Sequence, residues 1–300
     1  MIESKIANDM RKLNSDTTLR MHQDACLTLL KEFDRVCKIL NIPYVLFAGT
    51  LLGAVRHKGF IPWDDDLDVL MLREDYMRFL DEAEQVLDKN TFYLQKEFSE
   101  HWPMFFSKLR LNNTTCLETH HPKDEKMHQG IYIDIFPADS AAKSECGRRI
   151  QFVASKVVIA KSLDRRGYET RSIAKRVFMA LCKMLPRAPF FKLVTSLKRN
   201  KDSNYIHSFF GAASSYSKNI YPRTYFENTI QIQFEDGCYH VPKEYDELLT
   251  ILYGDYMTPP LPEQRKIKQH AILVDVTKSY EHYRKYHKEM VFKNITRSIR

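Results

Sequence analysis

Four aspartates crowd the run Trp63-Asp64-Asp65-Asp66-Leu67-Asp68-Val69, and Asp75 follows shortly downstream. Like charges packed this densely repel unless a cation lies between them. On a strand, Asp66 and Asp68 point to one face while Leu67 points to the other, into a core. A third carboxylate, Asp134, stands in the otherwise apolar run Ile131-Tyr132-Ile133-Asp134-Ile135-Phe136, where an unpaired charge is costly. Hard oxygen ligands of this kind suit Mg²⁺ or Mn²⁺, so Asp66, Asp68 and Asp134 are read as a metal-binding and catalytic set. A buried lysine or arginine as the partner of Asp134 is the competing reading. Such ions clamp phosphoryl oxygens in transfer reactions.

Cationic and backbone groups lie close by in sequence. Gly49-Thr50 ends a short apolar segment before a helix-compatible stretch, a turn that offers N–H groups and a hydroxyl to a phosphate. Gly53 follows, and Arg56, His57 and Lys58 supply positive charge between that turn and the aspartates. Lys108 and Arg110 alternate on a candidate strand and either bind phosphate or face water. Asp64 and Asp65 belong either to a solvated loop or to the edge of the site.

These residues need elements to position them. Apolar residues from Leu19 to Leu40 recur at helical spacing, with Asp16 as the expected N-cap and Asn41-Ile42-Pro43 as the stop. Strands are expected over 44–48, 66–71, 92–96, 105–111, 115–118 and 131–136, with helices over 50–57 and 74–87. Residues 119–129 read as an exposed polar loop. Glu235-Asp236-Gly237 is a hairpin turn between two strands, followed by a helix over 243–252. The last thirty or so residues read as a terminal helix or a frayed end. The expected fold class is α/β (α+β), a mixed sheet flanked by helices.

Composition narrows the class further. The chain has 300 residues, 44% of them apolar, enough for a sizeable core. It lacks an apolar run of membrane-spanning length, and its first residues lack a secretory pattern, so a cytoplasmic location is expected. Six scattered cysteines without a Cys-x-x-Cys pair read as reduced thiols. The net charge of +8 is uneven. Residues 140–201 carry sixteen Lys or Arg against three Asp or Glu, leaving the remainder acidic. The chain therefore divides into a core over 1–140, a basic helical insert over 141–205, and a part over 206–300 that completes the core.

The segment from Ala48 through Val69 closely resembles the signature of the LicD/fukutin-like phosphotransferases. Ile133-Asp134-Ile135-Phe136-Pro137, Phe234-Glu235-Asp236 to Val241-Pro242, and Leu252-Tyr253-Gly254-Asp255-Tyr256 resemble the family's later blocks. The resemblance implies a nucleotidyltransferase-like fold. It also implies Gly49 and Thr50 in a phosphate-facing turn, Asp66 and Asp68 as the metal pair, and Asp134 as the third carboxylate. The implied reaction moves a phospho-alcohol such as phosphocholine or ribitol phosphate from a CDP-linked donor to a cell-surface glycan, releasing CMP. Nucleotidyl transfer from an NTP with loss of pyrophosphate is the alternative enzyme, and a basic membrane- or nucleic-acid-binding protein the non-enzymatic one. Against nucleic acid, the basic run has no interleaved aromatic platform. A basic amphipathic helix instead points to an anionic membrane, where a lipid-linked acceptor would reside.

Overall fold

A computed structural model describes residues 16–119, 122–195, 203–211, 215–265, 270–284 and 286–287. Helix α1 (Asp16–Leu40) buries Leu19, Cys26, Leu29, Leu30, Phe33 and Cys37 along one side. The side chain of Asp16, and with it the expected cap, lies outside the described residues. At the other end Asn41 adopts φ 50° and the Ile42 N–H reaches back to the Cys37 carbonyl at 2.9 Å. That left-handed closure satisfies orphan carbonyls, and Pro43 prevents continuation.

The strand expected over 44–48 is only β1 (Val45–Leu46). Ala48, at φ 48°, turns the chain at once into α2 (Ala48–His57). The acidic loop then leads into β2 (Asp68–Leu72) and α3 (Arg73–Glu82). Next come β3 (Phe92–Gln95), β4 (Ser107–Leu111), β5 (Thr115–Glu118) and β6 (Tyr132–Ser140). β6 runs past its expected end because it serves two antiparallel neighbours in turn. β4 pairs its residues 132–135, and β7 (Tyr205–His207) pairs Asp139 and Ser140. Pro137 falls between the two ladders, where its missing N–H breaks neither.

The main sheet is mixed, in the order β1-β2-β6-β4-β3, and β8 (Ile220–Pro222) extends it through β7. β2 and β6 are its parallel pair. Val69, Ile133, Ile135 and Leu109 are fully buried in it, and Phe33 of α1 and Phe79 of α3 belong to the same core. This α+β arrangement is the nucleotidyltransferase-like architecture expected above.

Helices α4 (Glu145–Arg166), α5 (Ile173–Met184) and α6 (Arg187–Thr195) form the basic segment. Ser144 caps α4 by accepting from the Gly147 N–H, and Gly167 at φ 101° closes it. Pro186 separates α5 from α6, but Pro189 does not break α6. It occupies the first turn, where an N–H has no helical partner to lose. After α7 (Thr224–Glu227), β9 (Thr229–Phe234) and β10 (Gly237–Pro242) make the expected hairpin, and α8 (Tyr245–Tyr253) follows. The C-terminal stretch also holds a strand, β11 (Ala271–Asp275), antiparallel to β5. Met127 and Gln129 are buried, so the loop over 119–129 is covered at its end rather than exposed throughout. Among the described residues, no helix is long and apolar enough to cross a membrane.

Candidate active site

The acidic loop is held from behind by α1. Gln23 donates to the carbonyls of Ile61 (3.3 Å) and Asp64 (2.9 Å), and the His22 ring meets the Asp65 carbonyl at 2.8 Å. A second brace comes from the hairpin turn: Glu235 accepts from the Phe60 N–H at 3.0 Å, and its own N–H donates to the Lys58 carbonyl at 2.8 Å. With both anchors in place, the four aspartates separate into different environments.

Asp64, Asp66 and Asp68 line an open pocket of about 650 Å³ together with Gly49, Arg56, Trp63 and His270. Its far wall is Tyr253, Asp255, Tyr256, Thr258 and Pro260, the chain that leaves α8. Asp65 serves the pocket indirectly. Its carboxylate accepts from the His270 N–H at 2.9 Å and meets His270 Nδ1 at 2.7 Å, so Nε2 is the ring nitrogen left for a ligand. The hydrogen bond that His270 Nδ1–H donates to Asp65 holds the His270 pKa up at about 9, which makes the ring a cation at neutral pH. Arg56 donates to the Tyr256 carbonyl at 2.6 Å and ties α2 to the far wall.

Asp68 sits where its charged form is disfavoured. Burial pushes its pKa well up, and the nearby charges of Asp66, Asp134 and Asp64 push the same way. Asp134 stands beside it in the parallel register of β2 and β6. Lys108 pairs with Asp134 at 2.7 Å and lies 3.7 Å from Glu118. Its ammonium sits over the Tyr132 ring, 3.1 Å from the centroid, and burial draws its pKa down to about 7.

Several expected phosphate contacts lie elsewhere in the fold. Thr50 is buried and its hydroxyl accepts from the Asp68 N–H at 2.8 Å, so it fixes β2 rather than facing a ligand. Gly53 is a packing position: a Cβ there would stand 2.5 Å from the Gly59 carbonyl oxygen. His57 is not among the residues that line the pocket, and its ring lies edge-on to Trp63 at 6.0 Å. Lys108 and Arg110 are core residues, 2% and 1% exposed. Arg110 donates to Gln95 Oε1 at 2.6 Å and to the Gly130 carbonyl at 2.7 Å. Gly49 does line the pocket, at the start of α2, where no side chain caps the helix.

All the acids here offer hard oxygen donors, and the Asp68 pKa is raised by burial and then by its like-charged neighbours, a repulsion that a divalent cation relieves. Among the described residues, however, no three His, Cys, Asp or Glu side chains are arranged to hold a metal ion by themselves. Mg²⁺ is commonly held by one or two carboxylates, with substrate phosphate and water completing its shell. Asp66 and Asp68 fit that two-carboxylate pattern, and Asp134 is already engaged by Lys108.

Residues 41–162 match the family described as "LicD/FKTN/FKRP, nucleotidyltransferase domain". The lipopolysaccharide cholinephosphotransferase LicD of Haemophilus influenzae is 31% identical over 284 residues, covering 86% of this chain and 96% of that protein. The chain belongs to the LicD family. An uncharacterised protein of Rickettsia typhi shares 49% identity over a short stretch of 51 residues, 17% of this chain and 16% of that one. As a LicD-family member, the chain builds its pocket from family-like blocks far apart in sequence. The first supplies the acids, and the block ending in Tyr253–Tyr256 supplies the far wall. Sequence reasoning assigned no role to Tyr253, Tyr256 or His270. The family-like Leu252–Tyr256 block was a signal for the first two. For His270 the only cue was the β-like run Ala271-Ile272-Leu273-Val274 that follows it.

Proposed function

We propose that this LicD-family protein is a metal-dependent phosphotransferase that moves a phospho-alcohol, phosphocholine or a polyol phosphate, from a CDP-linked donor to a cell-surface glycan. The observation that carries the reading is the pocket that gathers Asp64, Asp66 and Asp68 with Arg56 and His270 in one open cleft. The cholinephosphotransferase activity named for the Haemophilus relative supports the same class of reaction.

Asp66 and Asp68 are the residues that would hold Mg²⁺ or Mn²⁺. When bound, the ion neutralises the donor diphosphate and the charge on the departing phosphate. The Gly49 N–H at the positive end of α2 and the Arg56 guanidinium bind phosphate oxygens. His270, oriented by Asp65, holds a proton at Nε2 for the leaving CMP. A glycan hydroxyl attacks the phosphorus that carries the alcohol, that phosphorus loses its bond to CMP, and the hydroxyl proton passes to solvent or a pocket carboxylate. Positioning and electrostatics account for most of such a reaction.

The deciding experiment incubates the protein and Mg²⁺ with CDP-choline, CDP-ribitol, CDP-glycerol or CTP, each with a glycan acceptor. CMP formation with a CDP-linked donor is the expected result. Pyrophosphate release from CTP would replace this reading with nucleotidyl transfer.

A further inference from the structure

Helix α5 turns its apolar side away from the protein. Ile173, Val177, Leu181 and Met184 recur at helical spacing and are 70%, 54%, 61% and 85% exposed. The helix meets the body from its other side, where Cys182 and Met179 pack with Val157 and Ala160 of α4. A helix docked on a soluble core ordinarily buries its apolar stripe. Here the stripe is left outward while a narrow opposite side makes the contact.

The attachment is nonetheless well formed. Ser172 caps the start of α5 by accepting from the Lys175 N–H. At its end, Lys161 donates to the carbonyls of Cys182 (3.1 Å) and Lys183 (2.9 Å), and Lys183 pairs with Asp164 at 2.9 Å. The outward stripe thus belongs to a helix closed at both ends.

Charge indicates what covers it. Residues 170–195 contain Arg171, Lys175, Arg176, Lys183, Arg187 and Lys192 and no acidic residue. A second copy of the same face would bring like charges together. A bilayer with anionic headgroups matches both features, since acyl chains receive the stripe and lipid phosphates receive the cations. We propose that α5 is a membrane-docking helix that lies in the headgroup layer of an anionic bilayer with Ile173, Val177, Leu181 and Met184 toward the acyl chains. Twelve residues are too few to span the bilayer, so the attachment is peripheral. The inference is independent of the reaction assigned to the pocket.

The test is co-flotation of the full chain with vesicles of phosphatidylcholine alone or mixed with phosphatidylglycerol, at low and high salt. Flotation with the anionic vesicles at low salt, weakened by salt, is expected. Leu181→Asp and the pair Lys175→Glu with Arg176→Glu each change exposed side chains, and circular dichroism checks that they fold. Each should lower the bound fraction about tenfold or more. The proposal is overturned by a wild-type chain that stays unbound on anionic vesicles at low salt, or by folded variants that float as well as wild type. It is also overturned if sedimentation without lipid shows self-association that Leu181→Asp abolishes, because the stripe would then be a dimer interface.

Discussion

Asp68 and Asp134 stand directly opposite each other on β2 and β6, the parallel pair of the main sheet. Side chains at matched positions of neighbouring strands share a face, about 4.8 Å apart along the sheet. Like charges so placed disfavour ionisation, and the Asp68 pKa is pushed well up by burial and by three acidic neighbours. Asp68→Asn keeps the shape and removes one of the repelling charges. Its melting temperature should equal or exceed that of wild type, while transferase turnover should fall by about 10²-fold or more. Turnover close to wild type in this variant would exclude Asp68 from the reaction.

Lys108 explains why Asp134 tolerates that position. The ammonium is buried among Tyr132, Phe106 and Trp102 and pairs with Asp134 at 2.7 Å. Lys108→Met leaves the partly buried Asp134 carboxylate without its cation, a loss of at most about 3–5 kcal/mol, the range for a fully buried pair. Denaturant unfolding measures it. The folded fraction should keep the wild-type KM for donor, because Lys108 does not line the pocket. A raised KM with unchanged stability would return Lys108 to the phosphate-binding role first expected of it.

Two glycines of α2 make opposite predictions. A Cβ on Gly49 would lie 2.9 Å from Asp64 Oδ2, the end of a side chain that is able to shift. Gly49→Ala should therefore cost little stability, within about 1 kcal/mol, yet displace Asp64 and block the open helix end. About a tenfold loss of kcat/KM is expected, roughly 1.4 kcal/mol in the barrier. At Gly53 the Cβ would meet the Gly59 carbonyl oxygen at 2.5 Å, backbone against backbone. Gly53→Ala should instead lower the melting temperature, with the surviving enzyme nearly as active. Parallel melting curves and initial rates separate the two effects.

The contrast shows what a sequence exposes and what it hides. Helix α1 was readable to its last turn because its stripe, its stop and its proline are all local signals. Asp66 and Asp68 do meet in one pocket, but not by the strand alternation expected over 66–71: β2 begins only at Asp68, and Asp66 reaches the pocket from the loop before it. The partner of Asp134 was not readable, since the pairing of β4 with β6 that brings Lys108 beside it is nonlocal. Alternation correctly set Lys108 and Arg110 on one face, but only tertiary packing lays Tyr132 and Trp102 over that face. His270 was missed because the charged character of the C-terminal stretch masked a short strand beside it. The apolar face of α5 was evident from spacing, whereas its outward direction depends on how α4 receives the helix.

His207 gives a prediction that involves no catalytic group. It is fully buried on β7, stacked on Phe209 at 4.1 Å, with Nε2 3.2 Å from the Val194 carbonyl. Burial lowers its pKa to about 4, against the pull of Asp139, and Arg73 lowers it further. The folded state therefore stays unprotonated at His207 until about pH 4, while the unfolded chain takes up the proton near its ordinary value of about 6.5. Between those values the unfolded state binds more protons, so stability falls as pH drops through the window. The loss attributable to His207 should reach about 3 kcal/mol at its lower end. His207→Gln, which keeps a hydrogen-bonding side chain but cannot titrate there, should make the profile less steep between pH 6.5 and 4, with the slope that remains coming from other histidines lowered by burial, His22 and His128. It should also leave rates at neutral pH unchanged. Urea midpoints measured across that range for both proteins decide the matter, and parallel curves would mean that other groups set the acid limit.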